Sequence, residues 1–437
     1  MPALFRDVRV HLLALASLGL LVRLRAITAW STDLVLAGDQ EFYHRQGIDL
    51  ARWMGFTYRH PSGELITTAV HPPLHSSWLG VVSAVGLDSP DAHRVAGAVL
   101  GAATVLTLGL AGLRLAGPTA ALVAAGLVAV APTLWINDAL VQSESMYAFA
   151  VALVLLATGE FLARPDRWRS LALGAAIGLA ALARAEALAL VVLALVPLVL
   201  LCRDPGTGAR VDRADRLRLG ALGLVGVALV AGPWFVRNLT AFDRPALAST
   251  GTGFVLEIAN CDRTYTGDRL GYWAPECDRT PWQAGDETAT EVAKRATAVD
   301  YISANRDRLP VVVAARVGRM WDVWRIDESV FFNDFYEQRG RASSLWAMRV
   351  WWLLLALAVP GAWALRRRGA TLIVPLALAS ATTLAAASSF GITRYRTGLE
   401  VAVALVAGVG IAAWAQAVAD RRRPADVVDA DLGVTAE

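Results

Sequence analysis

The stretch SLALGAAIGLAALARAEALALVVLALVPLVLLC, residues 170–202, sets how the chain folds. It is apolar except for Arg184 and Glu186, and arginines both precede and follow it. At 1.5 Å per residue, one helix over it would be about 50 Å long, too long for one membrane span and short for two. Because arginine-rich loops stay in the cytoplasm, both flanks lie on the same side. We therefore predict two short helices that meet near the outer face, with Arg184 and Glu186 at that boundary or just inside it.

The composition also indicates a chain that lies mostly in lipid. Of its 437 residues, 56% are hydrophobic and 18% are charged, whereas about a quarter are charged in soluble domains. Backbone groups in lipid must be hydrogen-bonded within their own segment, so each apolar run near 20 residues predicts a helix. The predicted fold class is an all-α polytopic membrane protein with about ten transmembrane helices. The expected spans are roughly 8–28, 95–115, 118–136, 144–163, 170–184, 186–202, 219–236, 346–365, 370–389 and 398–418.

Arginine-rich loops orient these spans. If all of them are cytoplasmic, an even number of crossings separates any two, and both termini are cytoplasmic as well. The outer face then collects the segments that are not in lipid. The predicted parts are an N-terminal transmembrane module at 1–236 with a first outer loop at 29–94, an extracytoplasmic cap at 237–345, C-terminal transmembrane helices at 346–420, and a disordered cytoplasmic tail at 421–437.

Two features of the cap can be predicted from its sequence. Residues 308–325 are basic, amphipathic and rich in tryptophan, which is typical of a helix lying at the membrane interface. Cys261 and Cys277 lie 16 residues apart on the oxidising side, which favours a disulfide worth about 3 kcal/mol in the loop-entropy model. Two free thiols remain the alternative, and a metal site is disfavoured because no CxxC pattern or nearby histidine completes it.

Two acids follow the first span, in LAGDQEFYHR at 36–45. If 39–54 forms a helix, Glu41 lies on a solvated stripe of alternating charge and is most simply a salt-bridge residue. Asp39 lies on the apolar face that packs against the membrane helices, and also at the helix start. Asp39 is therefore either an N-terminal cap or a catalytic group.

Other ionisable residues collect on the same outer side. Each alone is explained by interfacial anchoring or a buried ion pair, but charges at membrane depth are costly and usually functional. Arg394 and Arg396 alternate, so in an extended segment both point the same way and can bind one phosphate. The residues predicted to line one cavity are Asp39, Glu144, Glu186, Arg94, Arg184, Arg237, Arg394 and Arg396. His71 is added as a substrate- or phosphate-binding residue, although a polar cap is its simpler interpretation.

Several short motifs follow one another in a recognisable order. They are GDQEFY in the first outer loop, HPPL before the second span, HRVAGAVLGA entering it, SES at the fourth span, GLAALARAEAL, AGPWFVRN, and RYR before the last span. Together they cover most of the chain. The sequence resembles the GT-C superfamily of polyprenyl-phosphate-sugar-dependent glycosyltransferases, in the branch of protein O-mannosyltransferases and the lipid A aminoarabinose transferase. Its arginine- and alanine-rich style is typical of a high-GC bacterium, and we expect an actinobacterial source.

The resemblance implies roles for several residues. The family usually carries adjacent acids, Asp-Glu, in the first outer loop, whereas Gln40 intervenes here, so only Asp39 is carried over. Asp39 would be the general base on an acceptor hydroxyl, which attacks C1 of the sugar with inversion as polyprenyl phosphate leaves. Glu144 would be a second acid that positions the acceptor or a divalent cation, Mg²⁺ or Mn²⁺, and the arginines would neutralise the departing phosphate. Metal dependence varies within the superfamily.

The predicted function is therefore a hexosyl- or pentosyltransferase of the plasma membrane with an extracytoplasmic active site. Its expected partners are a polyprenyl-phosphate-linked sugar, the lipid bilayer and a glycan, lipid or protein acceptor of the cell wall or surface, with no nucleic acid. A transporter or flippase of a lipid-linked or anionic solute is an alternative, although its charges would lie near the bilayer midplane. A noncatalytic partner that binds polyprenyl phosphate is another. Asp39 discriminates, because a transferase without it keeps donor binding but loses turnover.

Overall fold

The computed structural model describes residues 2–31, 33–60, 63–367 and 371–421. Helices form almost all of its regular structure, which confirms the all-α class, and one antiparallel hairpin pairs β1 (Thr57–Arg59) with β2 (Leu65–Thr67). The predicted tail lies, apart from Arg421, outside the described residues. In chain order the helices are α1 (Pro2–Ala26), α2 (Asp39–Ala51), α3 (Leu74–Ala84), α4 (Pro90–Leu115), α5 (Pro118–Val130), α6 (Pro132–Asp138), α7 (Glu144–Ala163), α8 (Arg167–Ala183), α9 (Val196–Leu201), α10 (Arg213–Ala241), α11 (Thr252–Ala259), α12 (Asp262–Tyr265), α13 (Glu287–Ala304), α14 (Leu309–Met320), α15 (Ile326–Phe335), α16 (Arg341–Arg367), α17 (Ile373–Ser388) and α18 (Thr397–Arg421).

Each of the ten predicted spans coincides with helical structure. Within the described part of the chain, six helices are long and apolar enough to cross a membrane, and α5 with α6 makes a seventh candidate that bends by 54°. The bend falls at Pro132, which cannot continue the hydrogen-bond ladder of α5. The remaining predicted spans correspond to shorter helical segments, namely α8, Ala185–Leu201 and α17.

The apolar stretch at 170–202 breaks where its two charges lie. Helix α8 ends at Ala183, Arg184 has extended backbone, and a 3₁₀ turn begins at Ala185. The helical path then continues through a π-turn, Val191–Leu195, into α9. The prediction of two short helices meeting at Arg184 and Glu186 is confirmed.

The two ends of the helix bundle differ in their chemistry. One end, which we call the site end, is where α1, α8 and α10 finish and α4, α7 and α18 begin, and contacts between their termini bring them together there. The opposite end carries arginine-rich connections between α7 and α8 and between α9 and α10, and Arg366 and Arg367 in the last turn of α16. This separation follows directly from the pattern of arginines along the sequence.

Small residues let the long helices cross closely. A Cβ atom on Gly174 of α8 would lie 1.8 Å from the carbonyl oxygen of Gly223 in α10, and one on Gly361 of α16 would lie 1.9 Å from that of Val406 in α18. Membrane helices associate through such contacts because lipid offers no hydrophobic driving force between them. The α8–α10 and α16–α18 pairs therefore depend on glycine.

Helix α2 lies over the site end and is held there by α3. A Cβ atom on Gly47 of α2 would come 2.8 Å from Cβ of Leu79, so the two helices pack at glycine distance. The salt bridge predicted for Glu41 is present, since its Oε1 lies 2.8 Å from Nη2 of Arg45. The capping interpretation of Asp39 is wrong, because Gly38 is the cap residue and no side chain caps the first turn.

The cap, between α10 and α16, contains α11 to α15. The predicted disulfide between Cys261 and Cys277 is present, with 6.1 Å between their Cα atoms. The predicted interfacial helix is α14, which ends at Met320, earlier than expected. Its buried Arg316 and Arg319 donate to backbone carbonyls of the cap, both at 2.7 Å, so they pack inside the cap instead of forming an interfacial basic face.

Candidate active site

The site end gathers charged side chains from four distant parts of the chain. Asp39 starts α2, Glu144 starts α7, Arg184 and Glu186 form the break after α8, and Arg394 lies in a 3₁₀ turn before α18. Each comes from the end of an element, where backbone can leave the helix and a side chain can reach the centre. Sequence reasoning placed these five residues together, and the structure does the same.

Asp39 lies at the mouth of this cluster. Its Oδ2 accepts from Nη2 of Arg394 at 2.8 Å, and its Oδ1 lies 3.4 Å from Nε2 of His71. The Asp39 side chain is 34% exposed, whereas that of Glu144 is 1% exposed. Asp39 is therefore the acid of this pair that an incoming substrate can reach.

Arg394 is shared among three carboxylates. Besides Asp39, its Nε lies 3.2 Å from Oε2 of Glu337 and 3.8 Å from Oε1 of Glu144. Its side chain is 16% exposed, a value between that of Asp39 and those of the two buried acids. One cation thus connects the exposed acid of the site with the buried ones.

Arg184 anchors the inner wall of the site. It donates from Nη1 to Oε1 of Glu144 at 2.6 Å and from Nε to Glu186. Its guanidinium also lies over the ring of Tyr395, 5.1 Å from the centroid. The second oxygen of Glu144, Oε2, is buried without a hydrogen-bond partner in the described part of the chain, so this acid keeps one acceptor free.

The surroundings of Asp39 change its basicity. Burial acts to raise the pKa of the Asp39 carboxyl, but the charge of Arg394 and the hydrogen bonds and charge of His71 and Arg394 outweigh it, so the pKa is lowered well below its ordinary value. Tyr43, one turn along α2, shows the opposite effect, since burial and the charge of Asp39 raise the pKa of its hydroxyl. Asp39 is therefore ionised in this arrangement and held by a cation.

Three predicted arginines lie elsewhere. Arg94 pairs with Asp91 and donates to the Leu34 carbonyl, both at 2.7 Å. Arg237 donates to the Thr68 carbonyl at 3.0 Å and is surrounded by aromatic rings. Both are consumed by local contacts that hold the outer loops, so their placement in the cavity is wrong.

Arg396 also departs from the prediction. Residues 393–396 form a 3₁₀ turn, so alternate side chains do not point the same way. Arg396 is buried and pairs with Asp322 at 2.6 Å and Glu400 at 2.7 Å. The predicted fork of Arg394 and Arg396 onto one phosphate is therefore wrong, and Arg394 acts from this turn without it.

Sequence reasoning missed Glu337 and Tyr43. Glu337 is buried beside Arg394, but it lies in the cap, where nothing in the sequence connects it to α18. Tyr43 is buried between the rings of His71 and His75, at 5.0 and 4.9 Å. Its position one turn after Asp39 on the apolar face of α2 was the available signal.

A resident metal is not apparent from ligand geometry. Among the described residues no group of three or more His, Cys, Asp and Glu side chains is placed to hold a metal ion. The carboxylates of the site are instead paired with Arg184 and Arg394. These guanidiniums are the positive charges that the structure offers to an anionic ligand.

Comparison with known proteins identifies the architecture. Residues 70–234 match the family model described as dolichyl-phosphate-mannose-protein mannosyltransferase, which is less than half of the chain. The archaeal oligosaccharyltransferase AglB from Archaeoglobus fulgidus, in complex with an inhibitory peptide and a dolichol-phosphate, aligns with 98% of this chain at 13% identity and a TM-score of 0.51. The chain has the fold of the GT-C glycosyltransferase superfamily. The Archaeoglobus fulgidus oligosaccharyltransferase in complex with Zn and sulfate aligns with 93% of this chain, at 14% identity and a TM-score of 0.54.

The alignment covers only part of these archaeal enzymes, because the chain matches one portion of them. It spans about half of their length, 52% and 50% in the two structures. ArnT from Cupriavidus metallidurans in the apo state is 19% identical over 86% of this chain and 73% of its own, with a TM-score of 0.38. A search of curated proteins found no match to the sequence.

Proposed function

We propose that the chain is a membrane glycosyltransferase that moves a sugar from a polyprenyl-phosphate donor to an acceptor hydroxyl. The observation that carries the proposal is the contact between Asp39 and Arg394, 2.8 Å apart at the mouth of the cluster. It places a carboxylate that can accept a proton next to a guanidinium that can accept a phosphate. Transfer from a phosphate-linked donor requires both groups at one point.

The reaction assigns one task to each group. Asp39 accepts the proton of the acceptor hydroxyl while that oxygen forms a bond to C1 of the sugar. The bond from C1 to the phosphate oxygen breaks, and its electron pair leaves with the polyprenyl phosphate. Attack from the face opposite the leaving group inverts C1. Arg394 and Arg184 stabilise the charge that develops on the phosphate, so no strong general acid is required.

The buried acids complete the site in this proposal. Glu144 keeps Arg184 in place by its 2.6 Å contact, and its free Oε2 can accept a hydroxyl of the sugar or the acceptor. A divalent cation, Mg²⁺ or Mn²⁺, would act with these carboxylates if the reaction needs one. The donor sugar is a hexose or a pentose, and the acceptor is a glycan, a lipid or a protein.

The same reasoning proposes where the reaction occurs. The arginine-rich connections lie at the end of the bundle opposite the site, and such loops remain cytoplasmic. Both termini would then be cytoplasmic and the site extracytoplasmic, where lipid-linked donors carrying a sugar are used in cell-wall and surface glycosylation. A transporter would place its charges near the bilayer midplane, whereas these charges lie at the helix ends.

The proposal is tested with purified protein and radiolabelled polyprenyl-phosphate sugars made by membranes of the source organism, with Mg²⁺, with Mn²⁺ and with a chelator. Asp39→Asn should abolish labelled product while donor binding persists. Glu41→Gln is the matched control, because Glu41 lies on the same helix, exposed and paired with Arg45, and should retain full activity. Equal product from wild type and Asp39→Asn would exclude Asp39 as the base. Tight lipid binding without product from the wild type would favour a transporter or a noncatalytic partner.

A further inference from the structure

Three consecutive residues of the cap, Glu337–Arg339, reach three different parts of the molecule. We call this segment the connector. Gln338 has a left-handed backbone, with φ of 54°, and accepts from the side chain of Gln40 in α2 at 2.8 Å. Arg339 donates to the side-chain oxygen of Asn137 in α6. A non-glycine residue in this conformation persists only where its surroundings fix it, so the connector ties the cap both to the helix that carries Asp39 and to the bundle.

Glu337, the first residue of the connector, points at Arg394. Its Oε2 lies 3.2 Å from Nε of Arg394, an ion-pair contact without hydrogen-bond geometry, and the hydroxyl of Tyr272 donates to its Oε1 at 3.3 Å. The Glu337 side chain is 6% exposed. A buried carboxylate is retained where it is paired, and here its partner is the cation that also holds Asp39.

Asp39 and Glu337 contact different nitrogens of the same guanidinium. Nη2 of Arg394 meets Asp39 at the exposed side, and Nε meets Glu337 in the interior. A phosphate that enters from the opening therefore reaches the Asp39 contact first. Arginine binds phosphate through several N–H groups at once. The phosphate of the sugar donor therefore competes with Asp39 for Nη2 of Arg394, while the contact of Glu337 with Nε stays covered.

We propose that Glu337 is a positioning residue for the transfer, which holds Arg394 by Nε while the guanidinium exchanges Asp39 for the donor phosphate. The inference rests on the proposed function. It has a chemical consequence, because Asp39 loses its cation when the phosphate takes its place, and a carboxylate without a neighbouring cation is a stronger base. Binding of the sugar donor thus frees the base that must deprotonate the acceptor.

Anchoring by Glu337 is tested by the binding of a polyprenyl phosphate, without a sugar, to the full chain in detergent. Glu337→Gln should weaken binding about tenfold in the wild-type background. In an Arg394→Lys background the same change should have little effect, because lysine cannot contact Asp39 and Glu337 through separate nitrogens, and two residues that act through one group are not additive. An equal loss in both backgrounds would show that Glu337 acts through the fold of the cap, and would overturn the proposal.

Glu328→Gln is the matched control for this cycle. Glu328 is another cap carboxylate paired with arginines, 2.6 Å from Arg319 and 3.2 Å from Arg325 instead of Arg394. It should leave polyprenyl phosphate binding unchanged. A tenfold loss in this variant would mean that any disturbed cap pair weakens the site.

The exchange of Asp39 for phosphate on Arg394 can be tested by binding measurements alone, without turnover. Asp39→Asn removes the competitor for Nη2 and should tighten polyprenyl phosphate binding several-fold, whereas Glu41→Gln, which removes a charge from the same helix, should not. Unchanged or weaker binding in Asp39→Asn would overturn the exchange. In the active enzyme, the acid limb of kcat should lie at higher pH than that of kcat/KM for the donor. Failure of the wild type to transfer sugar would refute the proposed function and leave both binding tests interpretable.

Discussion

At the scale of single residues, the site depends on one cation that serves several acids. Arg394 contacts Asp39, Glu337 and Glu144 from a single 3₁₀ turn. Salt bridges at the surface contribute little to the free energy of folding. Removal of one partner from a buried pair is costly, because it leaves the other charge buried and uncompensated. Substitution of Arg394 should therefore affect both chemistry and the protonation of its neighbours.

Arg394→Gln should lower kcat/KM for the sugar donor about 100-fold. This is the order of loss found when one hydrogen-bond donor to a charge that develops in the transition state is removed. The residual activity should also change its pH dependence. Arg394 lowers the pKa of Asp39, so the wild-type acid limb lies below the ordinary carboxyl range near 4, and the Asp39 limb should be absent between pH 7 and 5. Without that cation the pKa of Asp39 rises and the acid limb moves to higher pH. A pH–rate profile of both proteins measures this, and an unmoved limb would mean that Arg394 does not control Asp39.

At the scale of elements, the helix pairs are fixed by where a side chain cannot fit. Gly174 approaches Gly223 across the α8–α10 crossing, so close that a Cβ atom would overlap the opposing carbonyl. Arg184 directly follows α8. The position of α8 along α10 therefore also sets the position of Arg184 in the site. A change at Gly174 should therefore reach the active site through the helix.

Gly174→Ala should destabilise the α8–α10 pair by about 1–3 kcal/mol, the usual cost of overpacking. It should lower the thermal midpoint in detergent and reduce transfer. Gly232→Ala, in α10 with open space around its Cβ position, is the matched control and should leave the midpoint unchanged or raise it, because alanine favours a helix over glycine. Equal midpoints for the two variants would show that the crossing has room to relax.

The sequence was sufficient for the helices that fill the predicted spans, and insufficient for the β1–β2 hairpin and for some contacts between elements. Apolar runs near 20 residues and the arginines between them located every helix that fills a predicted span, including the break at Arg184. The direction of Arg396 was missed because the pattern fits an extended segment as well as the 3₁₀ turn that forms. Glu337 was missed because its partner lies in another part of the chain, and single-sequence patterns report neighbours along the chain, not across it.

At the scale of the whole molecule, the two ends of the bundle should face different compartments. Two variants with an added cysteine test this. Thr207→Cys places the thiol in the arginine-rich connection before α10, and Ala284→Cys places it in the cap. A membrane-impermeant thiol reagent applied to intact cells should label the second and spare the first. Native thiols should not interfere, because Cys202 is buried and Cys261 is bonded to Cys277. Labelling of Thr207→Cys alone would reverse the proposed orientation.

The contact between Asp39 and Arg394 also bears on how the protein is assembled. Asp39 starts α2 and Arg394 precedes α18, so the ribosome must synthesise every element between them before the pair can form. A nascent chain arrested earlier in membrane insertion holds a carboxylate with no guanidinium to meet it. A chain arrested before Arg394 is made therefore lacks the Asp39–Arg394 pair. If the chain is split between these two residues and the pieces are expressed separately, any transfer activity should be recovered only when the pieces reassemble.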